Sequence, residues 1–290
     1  MELTTKCLEC LMGRNLKTAR SLGDEATAMA FARDLMEAIL KAPAGVSTPY
    51  FSPITADLMQ KYYGLDIDRF RKEKEMSNQF VLDRLDQIRE SVVTAEDPLY
   101  AGLQSAILGN YLDFAAMRHT VDFDELDRLL AKSRELELDR DVYEQLKKDL
   151  ERGKSLLYLT DNAGEIGFDR ILGEVIAKQY PNLEITFCVR GGPAVNDATR
   201  EDAKIMDIPF PVIDNGSRIS GTEIPFLGDE ARQALDRSSV VIAKGQGNTE
   251  TMYGCGRNVY YLFLVKCERF TDEFHKPRMT PMLVRDSGVK

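Results

Sequence analysis

Apolar residues recur at helical spacing through the first half of the chain and then give way, after Gly153, to short runs that are apolar at nearly every position. In the first half Ala28, Phe31, Ala32, Leu35 and Ile39 make one stripe at i, i+3 and i+4 intervals behind Asp24, a residue type that caps helix N-termini. A proline-bearing interruption from Pro43 to Pro53 breaks the pattern. Further helices are expected at about 54–63, 68–93, 98–118 and 123–152, the last divided near Leu138 and Asp139, with the acidic Val121–Glu125 segment as its entry. In the second half the runs are Ser155–Thr160, Leu183–Arg190, Phe210–Asp214, Ser239–Lys244 and Asn258–Val265. Such continuous apolar character suits strands buried on both faces of a parallel sheet. Helical patterns lie between them at about 165–180, 195–206 and 228–237.

The expected fold class is therefore α/β: a helical N-terminal region, residues 1–152, and a Rossmann-like, doubly wound α/β/α domain with a mainly parallel sheet, residues 153–290. Right-handed crossovers allow the strand order 3-2-1-4-5. The tail carrying Pro277 and Pro281 is expected to pack irregularly or to close over something.

Composition narrows the class without naming a reaction. The chain has 290 residues, 38 basic and 47 acidic, for a net charge of −9, and a composition of 43% hydrophobic and 29% charged residues is that of a globular protein rather than a disordered one. A nucleic-acid partner is not expected, because a backbone binder needs a basic footprint. The most basic stretch, Arg69 to Lys74, is interrupted by Phe70 and Glu73. No membrane partner is expected either, since no apolar run approaches the ~18 residues of a spanning helix. The opening Met1–Lys6 lacks a signal-peptide pattern, and five cysteines make an odd, sparse count, so a cytoplasmic location with free thiols or metal ligands is expected.

In an open parallel sheet, ligands bind beyond the carboxyl ends of the strands where strand order reverses. Four such turns carry glycine and polar groups: Asp161–Glu165, Gly191–Asp197, Asn215–Arg218 and Lys244–Asn248. The order 3-2-1-4-5 makes strands 1 and 4 neighbours, which brings Asp161, Asn162 and Lys244 together. Asp161, Asn162 and Asp197 form an all-oxygen set suited to a hard cation such as Mg²⁺ or Mn²⁺. Lys244, Arg190 and backbone amides at Gly191 and Gly245 are the devices that would hold a phosphate on an acidic protein.

Other chemistries fit less well. No G-x-G-x-x-G follows the first strand, and Arg190 stands where a ribose-binding acid would sit. The Walker order is reversed in Lys244–Asn248, and the two histidines, His119 and His275, fall where surface or packing roles suffice. Cys7 and Cys10, three apart on a first helix, and Cys267 after the fifth strand either form a second site for a soft metal or a redox clip, or are structural thiols. Cys188 is expected in the core.

The segments DNAGE (Asp161–Glu165), RGGPAVNDAT (Arg190–Thr199) and KGQGN (Lys244–Asn248), with KCLEC near the start and GNYLDF at Gly109–Phe114, resemble the damage-control phosphatase family, formerly domain of unknown function eighty-nine, in its prokaryotic branch. The resemblance spans essentially the whole chain. It implies a divalent-metal-dependent phosphatase (Mn, Mg, Co or Ni) acting on sugar phosphates or damaged phosphometabolites. Asp161, Asn162 and Asp197 would be the metal ligands, with Asp161 and Lys244 catalytic. Glu165, Arg190, Gly191, Gly245 and Asn248 would line the substrate site, joined from the helical half by Asn110 and Asp113. The attacking group would be water activated by the metal, or the Asp161 carboxylate itself. Two alternatives stand beside this one: a Rossmann-type methyltransferase using the same edge, and a non-enzymatic thiol metal or redox sensor using Cys7, Cys10 and Cys267.

Overall fold

The computed structural model describes residues 1–113 and 123–286. Helices α1 (Thr5–Leu22), α2 (Glu25–Lys41) and α3 (Ser52–Tyr63) form a small cluster around Ala19, Phe31, Leu35 and Met59. Asp24 caps α2, its carboxylate accepting from Thr27 N–H at 2.8 Å. The expected helix at 68–93 is two, α4 (Arg71–Leu82) and α5 (Leu85–Val93), divided where Arg84 N–H donates to Val81 O in a tightened i−3 turn. Helix α6 (Pro98–Gly109) stops short of residue 118 because the N–H groups of Asn110, Tyr111 and Leu112 turn back to carbonyls three residues earlier. The rest of that expected helix, including His119, lies outside the described residues. Helices α7 (Phe123–Ala131) and α8 (Arg140–Arg152) follow, divided around Leu138 and Asp139 as expected.

The second half alternates β1 (Ser155–Leu159), α9 (Glu165–Gln179), β2 (Glu184–Val189), α10 (Arg200–Ile205), β3 (Val212–Asp214), α11 (Asp229–Arg237), β4 (Val240–Lys244), α12 (Gly245–Met252), β5 (Val259–Leu264), α13 (Glu268–Phe274) and β6 (Pro281–Asp286). The order is β3-β2-β1-β4-β5-β6, with the first five strands parallel. The tail departs from expectation. It adds β6 antiparallel to β5, from Val259↔Asp286 to Leu264↔Pro281, covering the edge of a strand whose side chains are all buried. Pro281 sits at the start of that strand, where a missing N–H is tolerated. Helix α10 also starts later than residue 195. The preceding loop is held open by Val195 at φ +54° and by the Ala198 N–H donating to Asp161 O.

Both faces of the sheet are buried, which is why the strands read as continuous apolar runs. Leu156, Tyr158, Phe187, Ile242 and Tyr260 pack with Ile88, Leu103, Ile107, Leu146 and Ile176 from α5, α6, α8 and α9. Leu157, Leu159, Val241, Tyr261 and Phe263 pack with Leu235, Met252 and Phe270 from α11, α12 and α13. The helices of the first half thus lie directly on the sheet, and the C-terminal end of α6 reaches its carboxyl edge.

Candidate active site

Strands β1 and β4 are neighbours, so the turns that leave them face each other. Asp161 and Asn162 follow β1, and Glu165 opens α9. Asn162 Nδ2 donates to Asp161 Oδ2 (2.8 Å) and to Glu165 Oε2 (2.7 Å). Asn110, just past α6, donates to Asp161 Oδ2 at 2.9 Å and to both Glu165 oxygens at 3.1 Å, while its own Oδ1 accepts from Leu264 N–H. With Asn162 Nδ2 pinned on two carboxylates, its Oδ1 faces the other way and accepts from Asn196 Nδ2 at 2.8 Å. Gly245 closes over this group. Its φ is +78°, and a Cβ there would overlap the Asp161 carboxylate, so only glycine allows the approach.

The β2 turn supplies the opposite wall. A bridge pairs Asn162 with Asp197, and Ala163 N–H donates to Asn196 O. Asp197 Oδ2 accepts from Arg190 Nε at 2.6 Å, and Oδ1 accepts from Ser220 Oγ at 2.8 Å. Arg190 is 2% exposed, its NH2 lies 3.7 Å from Asp161 Oδ1, and that nitrogen has no hydrogen-bond partner among the described residues. Gly191 N–H donates to Asn215 Oδ1 and Ser217 O. Asn248 ties α12 to β1, donating to Thr160 O and Lys244 O while Thr222 Oγ1 donates to it.

Lys244, expected beside a phosphate, spends its three donors inside the protein: on Ala106 O (2.8 Å), Glu165 Oε1 (2.6 Å) and Asp169 Oδ1 (2.8 Å). Burial alone would lower its pKa, but the two carboxylates outweigh it and hold the ammonium above its usual range. Asp113 from the helical half pairs with Lys266 Nζ at 2.8 Å.

Charge decides what the site lacks. Among the described residues, four buried carboxylates, Asp161, Glu165, Asp169 and Asp197, face two buried cations, Lys244 and Arg190. Burial first, then Glu165, Asp197 and Asp113, drive the Asp161 carboxyl well above the ordinary range. Burial likewise raises Asp197, and it pushes Asp169 to about 6. When all four buried carboxylates are ionised, these described residues carry two more negative than positive charges, and the carboxylate and amide oxygens of Asp161, Asn162 and Asp197 match the charge and ligand preference of one divalent cation. Asp161, Asn162 and Asp197 therefore fit such an ion.

Three participants escaped the sequence reading. Lys266 stands two residues past β5, as Asp161 does past β1, so the strand-end rule that flags the other turns would have found it. Asp169 stands one helical turn after Glu165 on the same face. Ser220 lies well past β3 in an irregular loop, and no sequence pattern marks it. The thiols behave differently. Cys7 is buried against Thr4 and Arg269, Cys10 is exposed, and Cys267 accepts from Gln246. Cys188 is buried in the core of β2. Among the described residues no three or more His, Cys, Asp or Glu side chains group as a metal site, so Cys7, Cys10 and Cys267 form no such cluster. No helix among the described residues is long and apolar enough to cross a membrane.

Comparisons with known proteins identify the family and the fold. Residues 3–280 match the profile of the damage-control phosphatase ARMT1-like domain. A damage-control phosphatase of Archaeoglobus fulgidus is 30% identical over 275 residues, covering 92% of this chain and 93% of its own length. One from Pyrococcus horikoshii is 32% identical over 185 residues, 62% of this chain and 63% of that protein. The crystal structure of a DUF89 family protein from the same organism superposes with a TM-score of 0.81 at 26% identity, covering 98% of this chain and 99% of that one. The Archaeoglobus fulgidus and Pyrococcus horikoshii relatives are named as damage-control phosphatases, which favours that reading over the methyltransferase. The chain belongs to the damage-control phosphatase ARMT1-like family.

Proposed function

We propose that the chain is a divalent-cation-dependent phosphatase that hydrolyses small phosphorylated metabolites at the carboxyl ends of β1, β2 and β4. The observation that carries this reading is that, among the described residues, the buried carboxylates around Asp161 outnumber the buried cations by two, beside an Arg190 NH2 without a hydrogen-bond partner among those residues. Asp161, Asn162 and Asp197 would hold the cation, which when bound supplies charge neutralisation and polarises the phosphoryl group.

The chain's own residues do the positioning that phosphoryl transfer chiefly requires. Glu165 and Asp161 hold the Asn162 amide nitrogen, which leaves its oxygen on the side of Asn196, in the turn that carries Asp197. Lys244 holds Glu165 from behind, and Asp169 holds Lys244. Arg190 NH2 and Lys266 are the cations offered to phosphate oxygens, since the donors of Lys244 are spent. Helix α12 begins at the same edge with no side-chain cap, so its first N–H groups add an anion-favouring terminus. The substrate is a phosphate monoester small enough to enter between these turns.

The test is a hydrolysis assay with p-nitrophenyl phosphate and a panel of sugar phosphates, with Mn²⁺, Mg²⁺, Co²⁺ or Ni²⁺ and with chelator. Turnover is expected only with metal, and Asp161→Ala is expected to abolish it while keeping the wild-type circular dichroism. Full turnover by that folded variant would overturn the site assignment.

A further inference from the structure

We infer that Asn78, on the helical half, is a positioning residue that sets the geometry of the two turns holding the cation; this rests on the reading of Asp161, Asn162 and Asp197 as its ligands. Helix α4 presents Lys74, Ser77, Asn78 and Val81 on one buried face, at i, i+3, i+4 and i+7. Three of these are polar, an arrangement that a merely space-filling helix face does not need. Asn78 Oδ1 accepts from Gly164 N–H at 2.7 Å, in the β1 turn two residues after Asn162. Asn78 Nδ2 donates to Asp202 Oδ1 at 2.9 Å.

Asp202 in turn grips the end of the β2 turn. Its Oδ2 accepts from Thr199 N–H and from Thr199 Oγ1, both at 2.8 Å, two residues after Asp197. Lys74 Nζ lies 2.7 Å from the same oxygen and balances its charge in the interior. Asn78 is thus the one side chain among these that touches both turns, one directly and one through Asp202. The turns already meet at the Asn162–Asp197 bridge. The contact with α4 fixes them from the far side. Gly164 makes this possible: its φ is +75°, and a Cβ would lie 2.7 Å from Ser77 O.

A hydrogen bond in this position orients ligands without touching substrate, so its loss falls on cation affinity and turnover rather than on substrate affinity. The full-length protein is titrated with Mn²⁺ by calorimetry and assayed with p-nitrophenyl phosphate, as wild type, Asn78→Ala, Asn78→Asp and the double variant Asn78→Asp/Asp202→Asn. Asn78→Ala is expected to weaken Mn²⁺ binding about tenfold or more and to lower kcat, with KM little changed. Asn78→Asp places two carboxylates together and is expected to bind Mn²⁺ more weakly still. The double variant reverses the direction of one hydrogen bond, leaves an oxygen facing Thr199 and Lys74, and moves the balancing carboxylate from position 202 to position 78, so Mn²⁺ affinity is expected to recover to within about threefold of wild type, the non-additivity of a directly coupled pair.

Wild-type affinity and turnover in Asn78→Ala, or a double variant no better than Asn78→Asp, would overturn the assignment. Should Asn78→Ala fail to fold, the comparison of Asn78→Asp with the double variant decides. A wild-type protein that neither binds Mn²⁺ nor turns over would instead overturn the reading of the site itself, and the role of Asn78 with it.

Discussion

Asp161 carries an electrostatic conflict that its neighbours only partly relieve. Two amide donors, from Asn110 and Asn162, reach its Oδ2, yet among the described residues the nearest cation is Arg190 at 3.7 Å, and Glu165, Asp197 and Asp113 all oppose its ionisation. A buried carboxylate held in that state costs stability while its cation is missing. Asp161→Asn keeps the shape and removes the charge, so it should raise the melting temperature of the metal-free protein at pH 7.5, by about 2 °C or more for a chain of this size. The same variant should lose the stabilisation that Mn²⁺ gives wild type. Scanning fluorimetry with and without Mn²⁺ measures both. A metal-free melting temperature below that of wild type would show that the Asp161 charge is already balanced within the protein.

Helix α6 delivers Asn110 to the site, and its opposite end is anchored by a single residue. Asp97 Oδ1 accepts from Tyr100 N–H at 3.1 Å, capping the helix, and Oδ2 accepts from Tyr143 Oη at 2.6 Å, tying it to α8. Asp97→Ala removes both, and should cost about 2 kcal/mol, one for the cap and one for the second hydrogen bond. Because the loss is at the far end of a helix buried from Leu99 to Gly109, kcat should stay close to wild type. Urea unfolding and the phosphatase assay test the pair of expectations, and an unchanged midpoint would remove Asp97 from the account. Elements like this were legible in the sequence where one periodicity ruled: Asp24 before α2, the five buried strands, and the turns after β1, β2 and β4. Where local geometry overrode pattern, the reading failed. The end of α6 and the late start of α10 depend on backbone bonds made by Asn110 and Ala198 to partners that no spacing specifies. The β6 strand follows from the need to cover β5, a tertiary demand that Pro281 and the preceding Pro277 conceal. Within the site, the residue types at Asp161, Asn162 and Asp197 could be read, whereas the engagement of Lys244 by Asp169 required the fold.

At the scale of the whole molecule, one core spans the two regions separated at residue 152, since α5, α6 and α8 pack on the same sheet face as α9. A fragment of residues 153–290 would expose Tyr158, Ile242 and Tyr260 to water, so we expect it to remain unfolded or aggregated by circular dichroism and sedimentation. A soluble, cooperatively unfolding fragment would show the division to be a true domain boundary. The same burial sets the pH dependence of the intact chain. Asp169 and Glu250 are each raised to about 6 by burial, and Asp161 and Asp197 are raised as well. A carboxyl with a raised folded-state pKa binds its proton more tightly folded than unfolded. The stability it contributes is complete below the unfolded value and is lost as pH rises through the raised one, which is about 6 for Asp169 and Glu250. On the acid side Asp149 and Glu174 act oppositely. Burial works to raise them, but hydrogen bonds from Tyr260 and Asn258 to the first and from Arg89 and Arg170 to the second outweigh it and hold both below their usual values, so their contribution is lost as pH falls. Metal-free protein should therefore be most stable at about pH 5 and weaken toward pH 8. Saturating Mn²⁺ should flatten or reverse that decline, because a cation bound to Asp161 and Asp197 favours their ionised forms. Chemical unfolding across pH with chelator and with Mn²⁺ reads this directly. A metal-free stability that climbs from pH 5 to 8 would mean that the buried acids ionise without penalty, and that the excess charge at the sheet edge asks for no cation.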